Sequence, residues 1–181
     1  MELNLNVLSQ LNLNKLGEKV IEEEFRNYFV DSAGNEHYKL LAYISQQYEN
    51  STLLDIGTYK GCSALALSYN TSNKVISFDI GNFINLSDIP SNIEFVIDDV
   101  TDEKYIDMIL ASPFIMLDTA HDGSFERKLH SHLQNIKWEG LLLLDDINLN
   151  DAMREYWQSI TEDKYDVSDY GHWSGTGLVY F

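Results

Sequence analysis

The order of apolar and polar positions along the chain predicts an α/β protein. From residue 52 onward, short apolar runs of strand length alternate with amphipathic segments of helix length. Runs of this kind that are apolar on both faces form a mostly parallel, doubly wound sheet with helices on both faces. The predicted strands are 52–56, 74–78, 93–97, 114–117 and 140–144, and the predicted helices are 61–69, 101–110, 125–135 and 150–160.

The two ends of the chain depart from this alternation. Apolar residues between Leu16 and Phe29 recur at helical spacing, and so do those in 36–48, so residues 1–50 are predicted to form N-terminal helices. The segments 165–167 and 177–181 are predicted to close the sheet as an antiparallel C-terminal strand pair. Without a repeat or a proline-rich linker, we expect a single domain over residues 1–181, with 51–181 as a Rossmann-like core.

Composition and charge exclude several classes of protein. A hydrophobic fraction of 44% excludes a disordered chain, and no apolar run approaches the roughly 18 residues of a membrane span. The first residues lack the pattern of a secretory signal, and the single cysteine, Cys62, cannot form an internal disulfide, so we expect a cytoplasmic protein.

The net charge of −17 bears on the partners. Because the basic residues are scattered, with Arg127-Lys128 as the only adjacent pair, we expect no binding to nucleic acid or membrane. A small-molecule substrate fits this surface better, and a homodimer is not excluded.

Acidic residues follow three successive predicted strands. Asp55 lies in a glycine-containing loop after the first strand, Asp79 ends the second, and Asp98-Asp99 follows the third. The carboxyl ends of parallel strands share one edge of the sheet, where ligands bind. Asp55 suits a ligand with a cationic amino group, Asp79 can accept hydrogen bonds from both ribose hydroxyls, and Asp99 can accept one from an adenine amine.

These residues resemble the class I S-adenosylmethionine-dependent methyltransferases over roughly residues 50–181. In that family the first loop embraces the methionine part, the second-strand acid holds the ribose and the third-strand acid meets the adenine. The run Gly57-Thr58-Tyr59-Lys60-Gly61-Cys62-Ser63-Ala64-Leu65 is similar to that of the catechol and caffeoyl-CoA O-methyltransferase branch. The resemblance implies S-adenosyl-L-methionine as cofactor, bound by Asp55, Gly57, Thr58, Tyr59, Gly61, Ser63, Asp79, Ile80, Asp98, Asp99 and Asp118. The loop motif alone is equally typical of an ordinary strand-to-helix turn.

Further acids follow the fourth and fifth predicted strands. Asp118 ends the fourth, and Asp145-Asp146 ends the fifth, which lies next to it in a doubly wound sheet. Three carboxylates without a thiol or paired imidazoles favour a hard divalent metal, Mg²⁺ first, with Ca²⁺ or Mn²⁺ as alternatives. In the other interpretation, Asp145 caps the next helix and Asp118 hydrogen-bonds a turn.

His121 is the candidate catalytic residue. It lies three residues after Asp118, and an imidazole beside a metal can remove a proton from a substrate hydroxyl. Asp118-x-x-His121 resembles the macrocin-type sugar O-methyltransferases, in which the aspartate ligates magnesium and the histidine is the base. The catechol branch instead uses a lysine and an Asp-Asp-Asn set, and this chain has Asp146 in third place and no lysine nearby. The alternative for His121 is a surface or helix-capping side chain.

The leading hypothesis is metal-assisted O-methylation of a small-molecule hydroxyl. The alternatives are a module that binds S-adenosylmethionine or S-adenosylhomocysteine without catalysis, and another metal-dependent enzyme on the same fold. In the segment Gly171–Gly177, Trp173 is predicted either to stack on a ligand or to pack in a plain turn. The whole pattern, including Glu36-His37-Tyr38, also resembles a group of short bacterial and viral methyltransferase-like proteins, which implies the fold and nothing about the substrate.

Overall fold

The computed structural model describes residues 3–181, whose strands form one seven-stranded sheet. The strands are β1 (Thr52–Ile56), β2 (Lys74–Asp79), β3 (Ile93–Ile97), β4 (Phe114–Leu117), β5 (Leu141–Asp145), β6 (Asp163–Asp166) and β7 (Thr176–Tyr180). The α-helices are α1 (Leu5–Gln10), α2 (Asn14–Gly17), α3 (Glu23–Asn27), α4 (Tyr38–Ser45), α5 (Cys62–Leu67), α6 (Ile106–Ala111), α7 (Ser124–Ile136) and α8 (Asp151–Ser159), and 3₁₀ turns cover Glu103–Tyr105 and Ser168–Tyr170.

The strand order is β3-β2-β1-β4-β5-β7-β6. The first five strands are parallel, and β7 runs antiparallel between β5 and β6. The order reverses between β1 and β4, and such a switch point opens a crevice at the carboxyl ends of the strands. The predicted fold is therefore confirmed: a Rossmann-like, mostly parallel sheet with an antiparallel C-terminal pair.

Two apolar layers cover the sheet, one on each face. Successive strand residues point to opposite faces, so Leu53 contributes to one layer and Leu54 to the other. The N-terminal helices, α4 and α5 pack on the first face, and α6, α7 and α8 pack on the second. Burial on both faces explains why these strands are apolar throughout, since each fully buried leucine contributes about 1.5–3 kcal/mol.

The helical pattern predicted between residues 16 and 29 is interrupted in the structure. α2 ends at Gly17 and α3 begins at Glu23, because Val20 leaves the helical path to form an antiparallel bridge with Leu86. The Arg26 guanidinium group donates to the Val20 carbonyl at 3.1 and 2.9 Å, which holds this break in place. A tertiary contact has here overridden the local periodicity. Within residues 3–181, none of the helices has the length and apolar character that a membrane crossing needs.

Candidate functional site

The loop after β1 brings the ends of β1 and β4 close together. Gly57 has a φ of +93°, and a Cβ atom on it would lie 1.6 Å from the carbonyl oxygen of Asp118. Gly61 has a φ of +88° and is the N-terminal cap of α5. Only glycine adopts such angles without strain, so both residues are required by the turn itself.

Three predicted cofactor residues lie beneath this loop. Asp55, Thr58 and Ser63 are buried, and Ser77 donates its hydroxyl to Asp55 Oδ2 at 2.6 Å. Burial raises the pKa of Asp55 to about 6, although the hydroxyls of Ser77, Ser63 and Thr58 oppose the rise. In this structure Asp55 is therefore a buried hydrogen-bond acceptor under the loop.

A cleft of about 540 Å³ opens above the carboxyl ends of β1, β2, β3 and β4. It spans both predicted sites, the one for the donor and the one for the base. Its walls include the predicted residues Gly57, Tyr59, Asp79, Ile80, Asp98, Asp99, Asp118 and His121, together with Phe78, Phe83, Val100 and Phe125.

Asp79 connects the first loop to the second strand. Its Oδ2 accepts a hydrogen bond from the backbone N–H of Tyr59 at 2.9 Å, and its Oδ1 accepts one from Gly81 at 3.0 Å. Asp79 thus fixes the loop while facing the cleft.

Asp98 and Asp99 each have a lysine partner on the wall of the cleft. Asp98 accepts from Lys104 at 2.5 Å, and Asp99 accepts from Lys128 at 2.6 Å. Burial opposes ionisation of Asp99, but its bonds to Lys128 and Thr101 outweigh burial and lower its pKa to about 2. Both carboxylates are therefore acceptors that remain charged at neutral pH.

The three aspartates predicted to bind metal follow β4 and β5 and fall into two overlapping groups that share Asp145. One oxygen each of Asp118 and Asp145 and one ring nitrogen of His37 lie within 4.8 Å of one another. The same limit holds for ligand atoms of His121, Asp145 and Asp146. Groups this close can share one ion whose oxygen ligands lie at about 2.0–2.6 Å.

His121 is held over this cluster in an unusual backbone conformation. Its φ is +55°, and Nε2 lies 2.9 Å from Asp118 Oδ1 and 3.4 Å from Asp146 Oδ2. Glu126 accepts the backbone N–H of His121 at 3.1 Å, and Asn150 donates to its carbonyl at 2.8 Å. A left-handed histidine persists only when its surroundings hold it, as these two bonds do.

Two of the alternative interpretations are wrong, as the helix caps show. The residue that caps α8 is Asn150, whose side chain accepts from Met153 N–H at 3.0 Å, and not Asp145. The N-terminal cap of α7 is Gly123, and the His121 side chain is only 20% exposed, so His121 neither caps that helix nor lies free on the surface.

Sequence reasoning missed two histidines and a glutamate in this cluster. Glu36 and His37 lie directly before α4, and His172 lies in the segment between β6 and β7. His37 Nδ1 is 2.9 Å from Glu36 Oε1 and 3.4 Å from Asp145 Oδ2. His172 Nδ1 is 3.2 Å from Asp146 Oδ1. The all-carboxylate description of the site was therefore incomplete.

The local signal for these residues was weak. Glu36-His37 precedes an apolar helical run, and His172 stands between glycines, but nothing in the sequence links positions so far apart. The neighbouring Trp173 is 76% exposed, so its interpretation as a packed residue is wrong. Its ring meets that of His172 edge to face at 5.4 Å.

Opposite charges set the protonation of the cluster. Burial disfavours a charged His37, but the carboxylates of Asp145 and Glu36 outweigh burial and raise its pKa well above the usual value. Burial likewise opposes charge on His121, and Asp118 and Asp146 raise the pKa of that imidazole to about 9. Burial and then the charge of Asp145 raise the pKa of Asp118, while its bond to His121 lowers it.

At Asp146 and His172, too, burial and the neighbouring groups act in opposite directions on the pKa. Burial disfavours charge on both Asp146 and His172, but their mutual contact and the other charged and polar neighbours together outweigh it. The pKa of Asp146 is consequently lowered, and that of His172 is raised. The histidines and the Asp146 carboxylate thus hold their charges against burial, whereas the charge of Asp118 is disfavoured.

Comparisons with known proteins support the fold. No protein-family model matches the sequence, and no match is found among curated proteins. Among solved structures, a Staphylococcus aureus protein assigned as a caffeoyl-CoA O-methyltransferase is 13% identical with a TM-score of 0.61, over 99% of this chain and 93% of that one. The S-adenosylhomocysteine-bound methyltransferase PaMTH1 of Podospora anserina is 12% identical with a TM-score of 0.57, over 100% and 98% of the chains.

A third solved structure has the same fold. The O-methyltransferase TomG of Streptomyces achromogenes, solved with S-adenosylmethionine, is 12% identical with a TM-score of 0.53, over 99% of both chains. Identities this low bear on the fold alone. The chain has the class I S-adenosylmethionine-dependent methyltransferase fold.

Proposed function

We propose that this chain is an S-adenosylmethionine-dependent methyltransferase that methylates a hydroxyl group of a small molecule with the help of a divalent metal. The observation that carries this proposal is the single cleft that joins Asp79 and Asp99 to Asp118 and His121. A methyl donor and its acceptor must meet at about 3 Å in line. One cleft lined by both sets of residues provides for such a meeting.

The donor half of the cleft matches an adenosyl ligand. Asp79 offers a carboxylate to the ribose, and Asp99 offers one to the adenine amine. Phe78, Val100 and Phe125 supply apolar walls, as ligand pockets commonly do. The missing Cβ atom of Gly57 lets the loop lie against the end of β4, and Gly57 itself lines the cleft where the methionine part would bind.

The metal would be held by Asp118, Asp145 and Asp146. Asp118 and Asp146 each belong with Asp145 to a group whose ligand atoms lie within 4.8 Å of one another, which supports a shared ion. Three protein oxygens would leave about three of the six positions of Mg²⁺ for water and acceptor oxygens. When bound, such an ion lowers the pKa of a coordinated hydroxyl and orients it.

His121 is proposed as the general base, and its environment sets a condition on that role. The carboxylates of Asp118 and Asp146 raise the pKa of His121 to about 9, although burial opposes this. Without a bound metal the His121 side chain is therefore charged at neutral pH. These are the same carboxylates proposed to bind the metal. His121 therefore accepts a proton only when the charge of those aspartates is otherwise neutralised.

Calorimetry tests the two binding sites separately. S-adenosylhomocysteine is titrated into the chain with and without magnesium, and magnesium is titrated into the chain and into Asp146→Asn. We expect the wild-type chain to bind both ligands, with magnesium binding lost in the variant. Binding of the nucleoside alone would instead identify a binding module without a metal site, and binding of magnesium alone would identify a different metal enzyme.

Transfer of a labelled methyl group tests the reaction. Catechols and sugar diols serve as acceptors, because both can chelate a cation through neighbouring oxygens. We expect activity to be abolished by excess chelator and by His121→Ala, and retained in His132→Asn, a histidine outside the cluster. Full activity in excess chelator would contradict the proposed role of the metal. Full activity of His121→Ala would contradict the role of His121 as the general base.

A further inference from the structure

A second group of metal-ligating side chains lies beside the three aspartates. Glu36, His37 and His172 each offer one ligand atom, and these atoms all lie within 4.8 Å of one another. None of the three belongs to the aspartate set, although His37 and His172 border it. The group has its own composition, two imidazoles and one carboxylate.

The individual distances place the carboxylate of Glu36 beside both histidines. Nδ1 of His37 lies 2.9 Å from Oε1 of Glu36, and Nε2 of His172 lies 3.9 Å from Oε2 of Glu36. The two imidazole rings meet edge to face with their centroids 6.0 Å apart. Glu36 thus has one carboxylate oxygen towards each histidine.

His37 provides an independent observation that points to a ligand. Its side chain is 4% exposed, and its Nε2 has no hydrogen-bond partner within residues 3–181, whereas Nδ1 is paired with the carboxylates of Glu36 and Asp145. Buried polar groups without partners are costly, about 1–3 kcal/mol each, and call for an explanation. Coordination of a cation satisfies such groups.

The chemistry of the ligand set selects the kind of ion. Imidazole nitrogen is a poor ligand for magnesium and calcium, which prefer oxygen, and a good one for iron, cobalt and zinc. Two histidines and one carboxylate with open positions form a recurring site for divalent ions of this series. The side chain of His172 is 18% exposed, so an ion can reach the site from solvent.

We infer that Glu36, His37 and His172 bind a divalent transition-metal ion, with zinc or cobalt preferred over magnesium. The ion would tie the segment before α4 to the segment between β6 and β7. It would therefore stabilise the N-terminal helical layer against the edge of the cleft. This inference goes beyond the proposed methyl transfer and does not depend on it, since metal binding at these residues needs neither donor nor acceptor.

Cobalt is the direct probe, because its visible absorption reports ligand type. Co²⁺ is titrated into the wild-type chain and into His37→Asn, His172→Asn, Asp118→Asn and the control His132→Asn, each verified as folded by circular dichroism. With excess magnesium present to occupy the aspartates, we expect Co²⁺ affinity to fall at least about tenfold in the two histidine variants and to be unchanged in Asp118→Asn and His132→Asn. A tenfold excess of magnesium should not displace the cobalt.

Three results would overturn the inference. In one, the histidine variants retain the cobalt spectrum while Asp118→Asn loses it, which places the ion on the aspartates. In another, His37→Asn, His172→Asn and Asp118→Asn all lose the cobalt spectrum, which shows that the histidines and the aspartates form one shared site. The third comes from X-ray absorption of the zinc-loaded wild-type chain: fewer than two imidazole ligands refutes the site even if His37→Asn fails to fold. Methyl-transfer activity plays no part in any of these readings, so the proposed function can fail independently.

Discussion

Replacing Gly57 by alanine tests whether the close approach of β1 and β4 builds the cleft. The new Cβ atom would lie 1.6 Å from the carbonyl oxygen of Asp118 and 2.6 Å from its carbonyl carbon. These are backbone atoms, so no side-chain rotation relieves the clash, and the two strand ends have to separate. The φ of +93° adds strain of its own.

The expected loss of stability is the sum of two contributions, the strain of the left-handed backbone and the clash with the Asp118 backbone. A left-handed conformation costs alanine about 1–2 kcal/mol relative to glycine, and overpacking against a fixed neighbour costs about 1–3 kcal/mol. Together they predict that the free energy of unfolding falls by about 2–5 kcal/mol, a large share of the roughly 5–15 kcal/mol that stabilises an ordinary domain. For a chain of this length the Tm should fall by about 4–20 °C.

Urea unfolding followed by tryptophan fluorescence measures this loss, and Gly81→Ala is the matched control. A Cβ atom on Gly81 would meet only the Phe83 ring, which is 52% exposed and free to swing away, so we expect a change below about 1 kcal/mol. The folded Gly57→Ala protein should also bind S-adenosylhomocysteine at least about tenfold more weakly. An unfolding free energy within about 0.5 kcal/mol of wild type, or equal losses in the two variants, would refute the reasoning.

Three further predictions concern the donor site, the buried acid and the surface charge. Asp79→Ala should weaken S-adenosylhomocysteine binding about tenfold or more, the loss of a charged hydrogen bond worth roughly 1.5–3 kcal/mol, and unchanged calorimetric binding with Asp88→Ala as control would contradict this. The pKa of Asp55 is raised by burial to about 6, so between about pH 4 and 6 the folded chain holds a proton that the unfolded chain has lost, and stability falls as pH rises through that window. Asp55→Asn should escape this loss, about 2 kcal/mol of which falls between pH 4.5 and 7.5, where urea unfolding measures it, and parallel pH profiles of the two proteins would count against it. With a net charge of −17 the chain should not shift duplex DNA or RNA in a gel at physiological salt, and a salt-sensitive shift at micromolar protein would disprove that expectation.

The sequence alone determined the architecture of the sheet and the edge where its ligands bind. Apolar runs of strand length carry their signal locally, because a strand buried on both faces needs apolar side chains at every position. Acids such as Asp79 and Asp118 stand directly after such runs, so their place at the carboxyl edge followed from strand direction. The convergence of Asp118 with Asp145 followed in turn from the neighbouring positions of β4 and β5.

The tertiary structure decided what the local pattern does not encode. The break at Val20 depends on a bridge to Leu86, and the position of Asp55 beneath its loop depends on Ser77 of the next strand. Periodicity reports which face of an element is buried, and it contains no information on the partners that bury it.

The histidines of the cluster are the clearest case. Glu36 and His37 precede the first strand, and His172 precedes the last, so no spacing rule links them. They meet because α4 packs on the sheet beside β1 and because β7 inserts next to β5, which brings the segment before β7 to the end of β5. Contacts between positions so distant in the chain arise only from the packing of whole elements, and for that reason the acids and the histidine that directly follow β4 and β5 could be predicted, whereas Glu36, His37 and His172 could not.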